Sequence, residues 1–302
     1  MNTIELRKVR KAYDKFIAVD NLSFSIAQGT MFGLLGPNGA GKTSTIRMMI
    51  GITLPDSGEV FIFGEPFKRE LLKRIGYLPE ERGLYPKMKV IDQLTFIGEL
   101  HGLSTHDAKH RAQQWGERLD IAHAYQKKTQ ELSKGMQQKI QFISTLLHDP
   151  EFIIMDEPSS GLDPVNARLL EDTLIDLRKE GRTVLFSTHR MEQVEKLCDN
   201  ICLVNKGQAV LKGNLREIKK RYGHNRVQIA FDGQQDGHFL HGHPLAKKVD
   251  PYEGYISVEL APGADAQQLL KEVTAQSAVS RFEVMEPSLE EIFIDVVGKT
   301  NE

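Results

Sequence analysis

Apolar positions along this chain alternate, bunch into solid runs, or fall into helical register, and the order of these patterns predicts the fold. Residues 3–9 alternate as a half-exposed strand does, and Tyr13 follows in a polar turn, Lys11-Ala12-Tyr13-Asp14. Leu22 to Ile26 alternates again and is closed by Gln28-Gly29. Thr30 to Leu35 is a short apolar strand, and Thr43 to Ile50 is a helix with Ile46, Met49 and Ile50 on one side. Two more strands are predicted, Glu59 to Phe63 between Ser57-Gly58 and Gly64, and Ile75 to Leu78, stopped by Pro79.

Residues 88–147 take helical spacing. One helix spans Val90 to Leu100, and a second spans Thr105 to Leu119 with Ser104 as N-cap. A third begins after Leu132-Ser133-Lys134-Gly135, carries Ile140, Ile143, Leu146 and Leu147 on one stripe, and ends at Asp149-Pro150. Phe152-Ile153-Ile154-Met155 is a continuous apolar run, the signature of a strand buried on both faces of a parallel sheet. Asp163-Pro164 opens a further helix, with Val165, Leu169, Leu170, Leu174 and Leu177 as its apolar face and Gly181 as its end. Thr183 to Phe186 is the next strand, running through Ser187-Thr188-His189 into another helix. Strands alternating with helices predict an α/β core interrupted by a helical insertion at about 88–147.

The pattern changes after residue 214. Glycine, histidine and glutamine crowd residues 223–243 (Gly223-His224, Gly233-Gln234-Gln235, Gly237-His238, His241-Gly242-His243), and the irregular histidine spacing suits a solvated loop better than a metal patch. Beyond it lie a strand, Tyr255 to Leu260, a helix with Ala266, Leu269, Leu270 and Val273 in register, and a strand near Ser280 to Met285. A last helix is marked by the capping box Ser288-Leu289-Glu290-Glu291, with Leu289, Ile292, Phe293 and Val296 on one face. The expected division is therefore 1–214 and a small α+β domain over 215–302, with no internal repeat.

Composition narrows the classes. The 302 residues are 40% hydrophobic and 26% charged, ordinary for a globular chain. A formal net charge of -2 gives no reason to expect nucleic acid as a partner. No apolar run approaches the ~20 residues that cross a bilayer, and Met1-Asn2-Thr3-Ile4-Glu5 does not begin a signal peptide. Cys198 and Cys202 are expected to be small buried apolar residues in a reducing compartment.

The chemistry centres on Gly36-Pro37-Asn38-Gly39-Ala40-Gly41-Lys42-Thr43, which fits G-x-x-x-x-G-K-[ST] between a strand and a helix. Glycines let successive N–H groups turn inward as an anion nest, and the helix N-terminus adds unpaired N–H groups, including those at Thr43 and Ser44. Lys42 supplies a mobile charge for β- and γ-phosphates, and the Thr43 hydroxyl can ligate Mg²⁺. Asp156-Glu157 directly follows the buried strand. Asp156 is placed to hold Mg²⁺, and Glu157 to orient and polarise an attacking water. Ser133 and Gly135 open a second anion-binding helix start. One nucleotide has one triphosphate tail, so two such sites invite a two-fold dimer in which each copy closes the other's nucleotide.

With these motifs in this order, residues 2 to about 214 resemble the nucleotide-binding subunit of an ABC transporter. Gly36–Thr43 matches the Walker A motif, Phe152–Glu157 the Walker B motif, and Leu132–Met136 resembles the signature motif. Ser160-Gly161-Leu162-Asp163 resembles the D-loop. The resemblance implies a P-loop NTPase core with an antiparallel β subdomain and a helical subdomain. It makes His189 the switch histidine, Tyr13 the aromatic on adenine, and Tyr77-Leu78-Pro79-Glu80 the Q-loop. Two departures stand out. The signature reads Ser-Lys-Gly-Met, which keeps Ser133 and the Gly135 N–H but loses the terminal amide. Glu80 replaces the Q-loop glutamine, can still meet Mg²⁺, and predicts weaker nucleotide binding or a stronger Mg²⁺ requirement. The C-terminal unit resembles the extension of the drug-, antibiotic- and sodium-exporter class. The resemblance thus implies an ATPase using ATP and Mg²⁺, cytoplasmic and held at the inner face of the cell membrane by a separate permease, exporting a cargo. The competing readings are an ABC ATPase of repair or translation, which would carry coiled-coil insertions or tandem cassettes, and a regulatory module in which Glu157 is silent.

Overall fold

The computed structural model describes residues 1–81, 83–223, 226–232 and 237–298 and divides into two compact units, Met1–Leu215 and Arg216–Glu302. His224 and Gly233-Gln234-Gln235 of the glycine- and histidine-rich stretch lie outside the described residues.

The first unit opens with a long hairpin, β1 (Asn2–Tyr13) and β2 (Phe16–Ala27), then β3 (Met31–Leu35), α1 (Lys42–Met49), β4 (Ser57–Ile62) and β5 (Glu65–Pro66). A 3-10 turn, Arg69–Arg74, leads into β6 (Ile75–Leu78). The helical insertion follows as α2 (Val90–Leu100), α3 (Thr105–Arg118) and α4 (Lys134–Leu146). Then come β7 (Phe152–Asp156), α5 (Pro164–Lys179), β8 (Thr183–Thr188), α6 (Met191–Leu197), β9 (Asn200–Asn205) and β10 (Gln208–Asn214). The strand continues through Tyr13, which the sequence had assigned to a polar turn; the reversal is Asp14-Lys15, with Asp14 at φ 51°.

Two sheets divide the work. The order β2-β1-β4-β5 is antiparallel, and β10-β9-β3-β8-β7-β6 has a parallel centre with one antiparallel edge. Every residue of β3, β7 and β8 is buried, which is why these strands are solid apolar runs rather than alternating ones. The antiparallel sheet closes one side through Ile4, Leu6, Leu22 and Ile26, packed in one core with Ile46, Met49, Phe152 and Leu185. Phe24 stacks on Phe32 across this junction at 5.2 Å.

Two caps behave as the sequence predicts: the Ser104 side chain accepts from Asp107 N, and Asp163 from Val165 N and Asn166 N, with Pro164 at the first helical position. Ser133, expected only as an anion-binding hydroxyl, also caps: it accepts from Met136 N, and α4 begins at Lys134 rather than after Gly135. Val165 departs from expectation: it is 79% exposed, and α5 buries Leu170, Leu174 and Leu177 instead. Its place in the first turn, just past the cap, puts it off the end of the stripe. The β9–β10 hairpin turns at Lys206-Gly207, both with positive φ.

The second unit contains α7 (Leu215–Tyr222), β11 (Arg226–Phe231), a 3-10 turn at His238–Leu240, β12 (Ala246–Tyr252), β13 (Tyr255–Leu260), α8 (Ala266–Gln276), β14 (Val279–Met285) and α9 (Leu289–Gly298). The strands form one antiparallel sheet, β12-β13-β11-β14, and Val227, Ile229, Ile256 and Val258 pack beneath Leu269 and Val273 of α8. The unit is α+β. Residues 223–243 are not one solvated loop, since β11 occupies the middle of the sheet. Among the described residues no group of histidines, cysteines and carboxylates could hold a metal ion, and His243 pairs with Glu272 at 2.9 Å. No helix among them is long and apolar enough to cross a membrane.

Candidate nucleotide site

The parallel register brings three strand ends together. Leu35 of β3 lies beside Thr188 of β8, and Asp156 of β7 beside Ser187 of β8. Whatever follows each strand is therefore delivered to one spot, and the reversal of strand order about β3, which has β8 on one side and β9 on the other, opens a crevice there. Gly36–Lys42 follow β3, Glu157 follows β7, and His189 follows β8.

The loop has its shape because side chains are missing where the chain folds tightly. Gly36 sits at φ 150°, and a Cβ there would meet the Val204 carbonyl oxygen at 2.2 Å. Gly41, at φ 106°, caps α1, and a Cβ would come within 2.3 Å of the Ala18 carbonyl. A methyl at either position collides with backbone, which cannot yield cheaply. Within the loop, Ala40 N donates to Pro37 O at 3.2 Å.

Lys42 is 7% exposed and folds back over its own loop, donating to Gly36 O at 2.8 Å and Pro37 O at 3.2 Å. Its Nζ lies 4.0 Å from Glu157 Oε1. Burial holds this ammonium below the ordinary lysine value, against the pull of Glu157, Asp156 and Glu80. Thr43 Oγ1 donates to Asp156 Oδ2 at 3.1 Å, while Asp156 Oδ1 is buried with no hydrogen-bond partner. Burial raises the Asp156 carboxyl above its ordinary value; Ser187 and Thr43 beside it pull the other way, and the Ser187 hydroxyl completes no well-aligned hydrogen bond. Tyr77 is pushed up to about 12, chiefly by burial and then by the charge on Asp156.

Glu157 is gripped from three directions and sits at φ 50°. Oε1 accepts from His189 N at 3.0 Å and lies 2.9 Å from His189 Nδ1, and Oε2 accepts from Thr188 Oγ1 at 3.2 Å. The expected residues Lys42, Thr43, Asp156, Glu157 and His189 thus form one connected cluster, with Glu80 close enough to act on Lys42 and Asp156 through its charge. Tyr13, Ser133 and Gly135 are not in it. Tyr13 ends β1, its ring 5.7 Å from Lys11 Nζ, and Ser133 and Gly135 start α4.

Sequence reasoning missed the residues that fasten the cluster to α4. Gln141 Nε2 donates to Pro79 O at 3.0 Å and Glu81 O at 3.1 Å, holding the segment after β6. Gln138 Nε2 donates to Pro158 O at 3.1 Å, holding the segment after β7. Both are buried amides, and they share their helix face with the buried Thr145, whose hydroxyl donates to Tyr77 O at 3.3 Å. Thr188 was also missed as a donor, although it stands beside His189.

Comparison with known proteins agrees with this geometry. The family model described as ABC transporter matches residues 19–160, and that described as ATP-binding protein DrrA1-3-like, C-terminal domain, matches residues 213–297. The chain is 44% identical over 294 residues to the ABC transporter ATP-binding protein YhaQ of Bacillus subtilis, covering 97% of this chain and 98% of the relative. It is 31% identical over 307 residues to the Nod factor export ATP-binding protein I of a Rhizobium strain, covering 99% and 98%. A solved structure of the ATP-binding subunit of an ABC transporter superposes with a TM-score of 0.67 at 27% identity, over 73% of this chain and 93% of that one. The chain belongs to the ATP-binding proteins of ABC transporters, which are ATPases.

Proposed function

We propose that this chain binds ATP and Mg²⁺ and hydrolyses ATP to drive export through a separate membrane permease, which keeps it at the inner face of the cell membrane. The observation that carries the reading is the joined cluster of Lys42, Thr43, Asp156, Glu157 and His189 at three neighbouring strand ends. The β- and γ-phosphates lie on the N–H groups of Asn38 through Ser44, and Lys42 exchanges its two loop carbonyls for phosphate oxygens. Tyr13, at the hairpin tip, stacks on adenine.

The donor set fits a hard divalent cation: hydroxyl and carboxylate oxygens, one of them a buried Asp156 oxygen with no hydrogen bond. Thr43 and Asp156, with Glu80, would hold Mg²⁺, which when bound neutralises charge on the phosphate oxygens. Glu157 orients a water and accepts its proton as the water oxygen bonds to the γ-phosphorus and the bond to the β-γ bridging oxygen breaks. The Thr188 hydroxyl and the His189 N–H keep the carboxylate aimed while the His189 ring turns from Oε1 towards the γ-phosphate. Ser133 and Gly135 of a second copy close the nucleotide from the other side. A relative named for Nod factor export supports export as the direction.

Replacing Glu157 by Gln tests the reading, because the amide fills the same space and cannot take a proton. ATP binding should persist, hydrolysis should fall by about 10²–10⁴, and light scattering should find a dimer stable in ATP. Unchanged turnover would refute Glu157 as the base.

A further inference from the structure

We infer that the second unit carries its own binding site, for a small organic cation with an aromatic body. The site is a groove of about 630 Å³ on the face of the β11–β14 sheet opposite the α8 core. That volume falls within the roughly 300–1,000 Å³ of small-molecule pockets. It lies wholly within residues of this unit and shares none with the nucleotide cluster, so the inference does not depend on the ATPase reading.

Alternation produces the groove. Val227, Ile229, Ile256 and Val258 take the inner positions of β11 and β13 and are buried under α8. Gln228 and Ser257, partners in the β11–β13 register, therefore face the other way and floor the groove. Ser257 is only 6% exposed and lines that floor.

The walls select the ligand's chemistry. Tyr252 and Tyr255 stack at 5.0 Å and 8°. The guanidinium of Arg281 already lies 5.5 Å from the Tyr255 ring, so this pair attracts positive charge. Tyr252, 56% exposed, keeps its other face open. Met285 adds a polarisable apolar surface of the kind that adapts to varied ligands. Two cations of the groove are already neutralised, Arg226 by Glu291 at 3.1 Å and Lys247 by Glu259 at 2.5 Å, while Arg281 donates to Gln228 Oε1 at 3.3 Å. Four carboxylates line the groove, Glu259, Glu286, Glu291 and Asp295, and Glu286 has no ion pair among the described residues. Exposed tyrosine, methionine and an excess of negative charge together favour a cation and oppose an anion of the same shape.

Tetraphenylphosphonium and tetraphenylborate differ in charge but hardly in size, so calorimetric titration of the full chain with each separates charge from hydrophobicity. The cation should bind with a micromolar Kd, at least ~10-fold more tightly than the anion. Tyr252→Leu, on an exposed ring whose loss leaves the core intact, should weaken it ~5–10-fold. Glu286→Gln should weaken it by a smaller factor, and Glu157→Gln should leave it unchanged. The inference is overturned if the cation fails to bind at millimolar concentration, if both ions bind equally, or if Tyr252→Leu and Glu286→Gln both bind as the parent does.

Discussion

The six-stranded sheet of the first unit and the four-stranded sheet of the second place their polar groups in opposite ways. β3, β7 and β8 are dry on both faces, so a polar side chain can reach solvent only where a strand stops, and the site is a cluster of strand ends. β11 and β13 are dry on one face only and present Gln228 and Ser257 along the strand, in mid-sheet. Chemistry at strand ends inherits the rigidity of the core behind it, which suits a reaction needing fixed distances. Recognition along a face is spread over several residues, each of which can be lost at modest cost.

That difference is largest in the strands themselves. Phe152→Ala, in a fully buried β7 position, should cost about 3–5 kcal/mol. Gln228→Ala, on the open face of β11, should change stability by less than ~0.5 kcal/mol. Urea denaturation followed through Trp115, the single tryptophan and a residue of the first unit, checks the former, and far-UV circular dichroism the latter. Equal losses would erase the distinction.

The same contrast explains what the sequence made legible. Two-sided burial turns β7 into the apolar run Phe152–Met155, and glycines forced by backbone collisions at 36 and 41 keep the phosphate motif recognisable. Caps at Ser104 and Asp163 fixed two helix starts because each is a local hydrogen bond. One-sided burial is a weaker signal. β11 hides among the turn residues of 223–243. β12 carries Lys247, Lys248, Asp250 and Pro251, a composition that an edge strand tolerates and that suggests no strand at all. Gln138 and Gln141 were illegible for another reason: each holds a loop carbonyl distant in sequence, and nothing local announces it.

Acid should separate the two units next. His148 is stacked on His101 at 3.8 Å, its Nε2–H donates to Ile75 O at 3.0 Å, and its Nδ1 is buried without a partner. Burial, with the neighbouring His101, holds its pKa down to about 4, and burial lowers His101 as well. The folded form therefore resists a proton that the unfolded chain accepts near pH 6.5. Stability of the first unit should fall as pH drops from about 6.5 to 4, by about 2 kcal/mol once solvent screening is allowed for. In the second unit the described group with a shifted value is the exposed Lys248, raised by its hydrogen bond to Asp250, and its window lies far above this range. Unfolding midpoints read through Trp115 at pH 6.5 and 4.5 should converge in His148→Gln. A parent chain whose midpoint is flat over that interval would show that this histidine pair is not strained by charge.

The smallest effect is also the most discriminating, because Ser133 has a local role and a proposed remote one. Locally its hydroxyl accepts from Met136 N at 3.3 Å and caps α4, the helix whose amides hold the segments after β6 and β7. Removing that cap, as in Ser133→Ala, should cost about 1 kcal/mol. Aspartate caps as well as serine does, so Ser133→Asp should keep the stability of the parent. The remote role sets the two variants apart. If Ser133 of one copy meets the γ-phosphate held by the other, a carboxylate there repels the triphosphate, and Ser133→Asp should lose ATP-driven dimerisation and hydrolysis while folding normally. A serine that only caps predicts the reverse, full turnover in the aspartate variant and a modest loss in the alanine one. Thermal unfolding and phosphate release on the same two proteins decide between a strand-end site that is complete within one chain and one that needs a second copy.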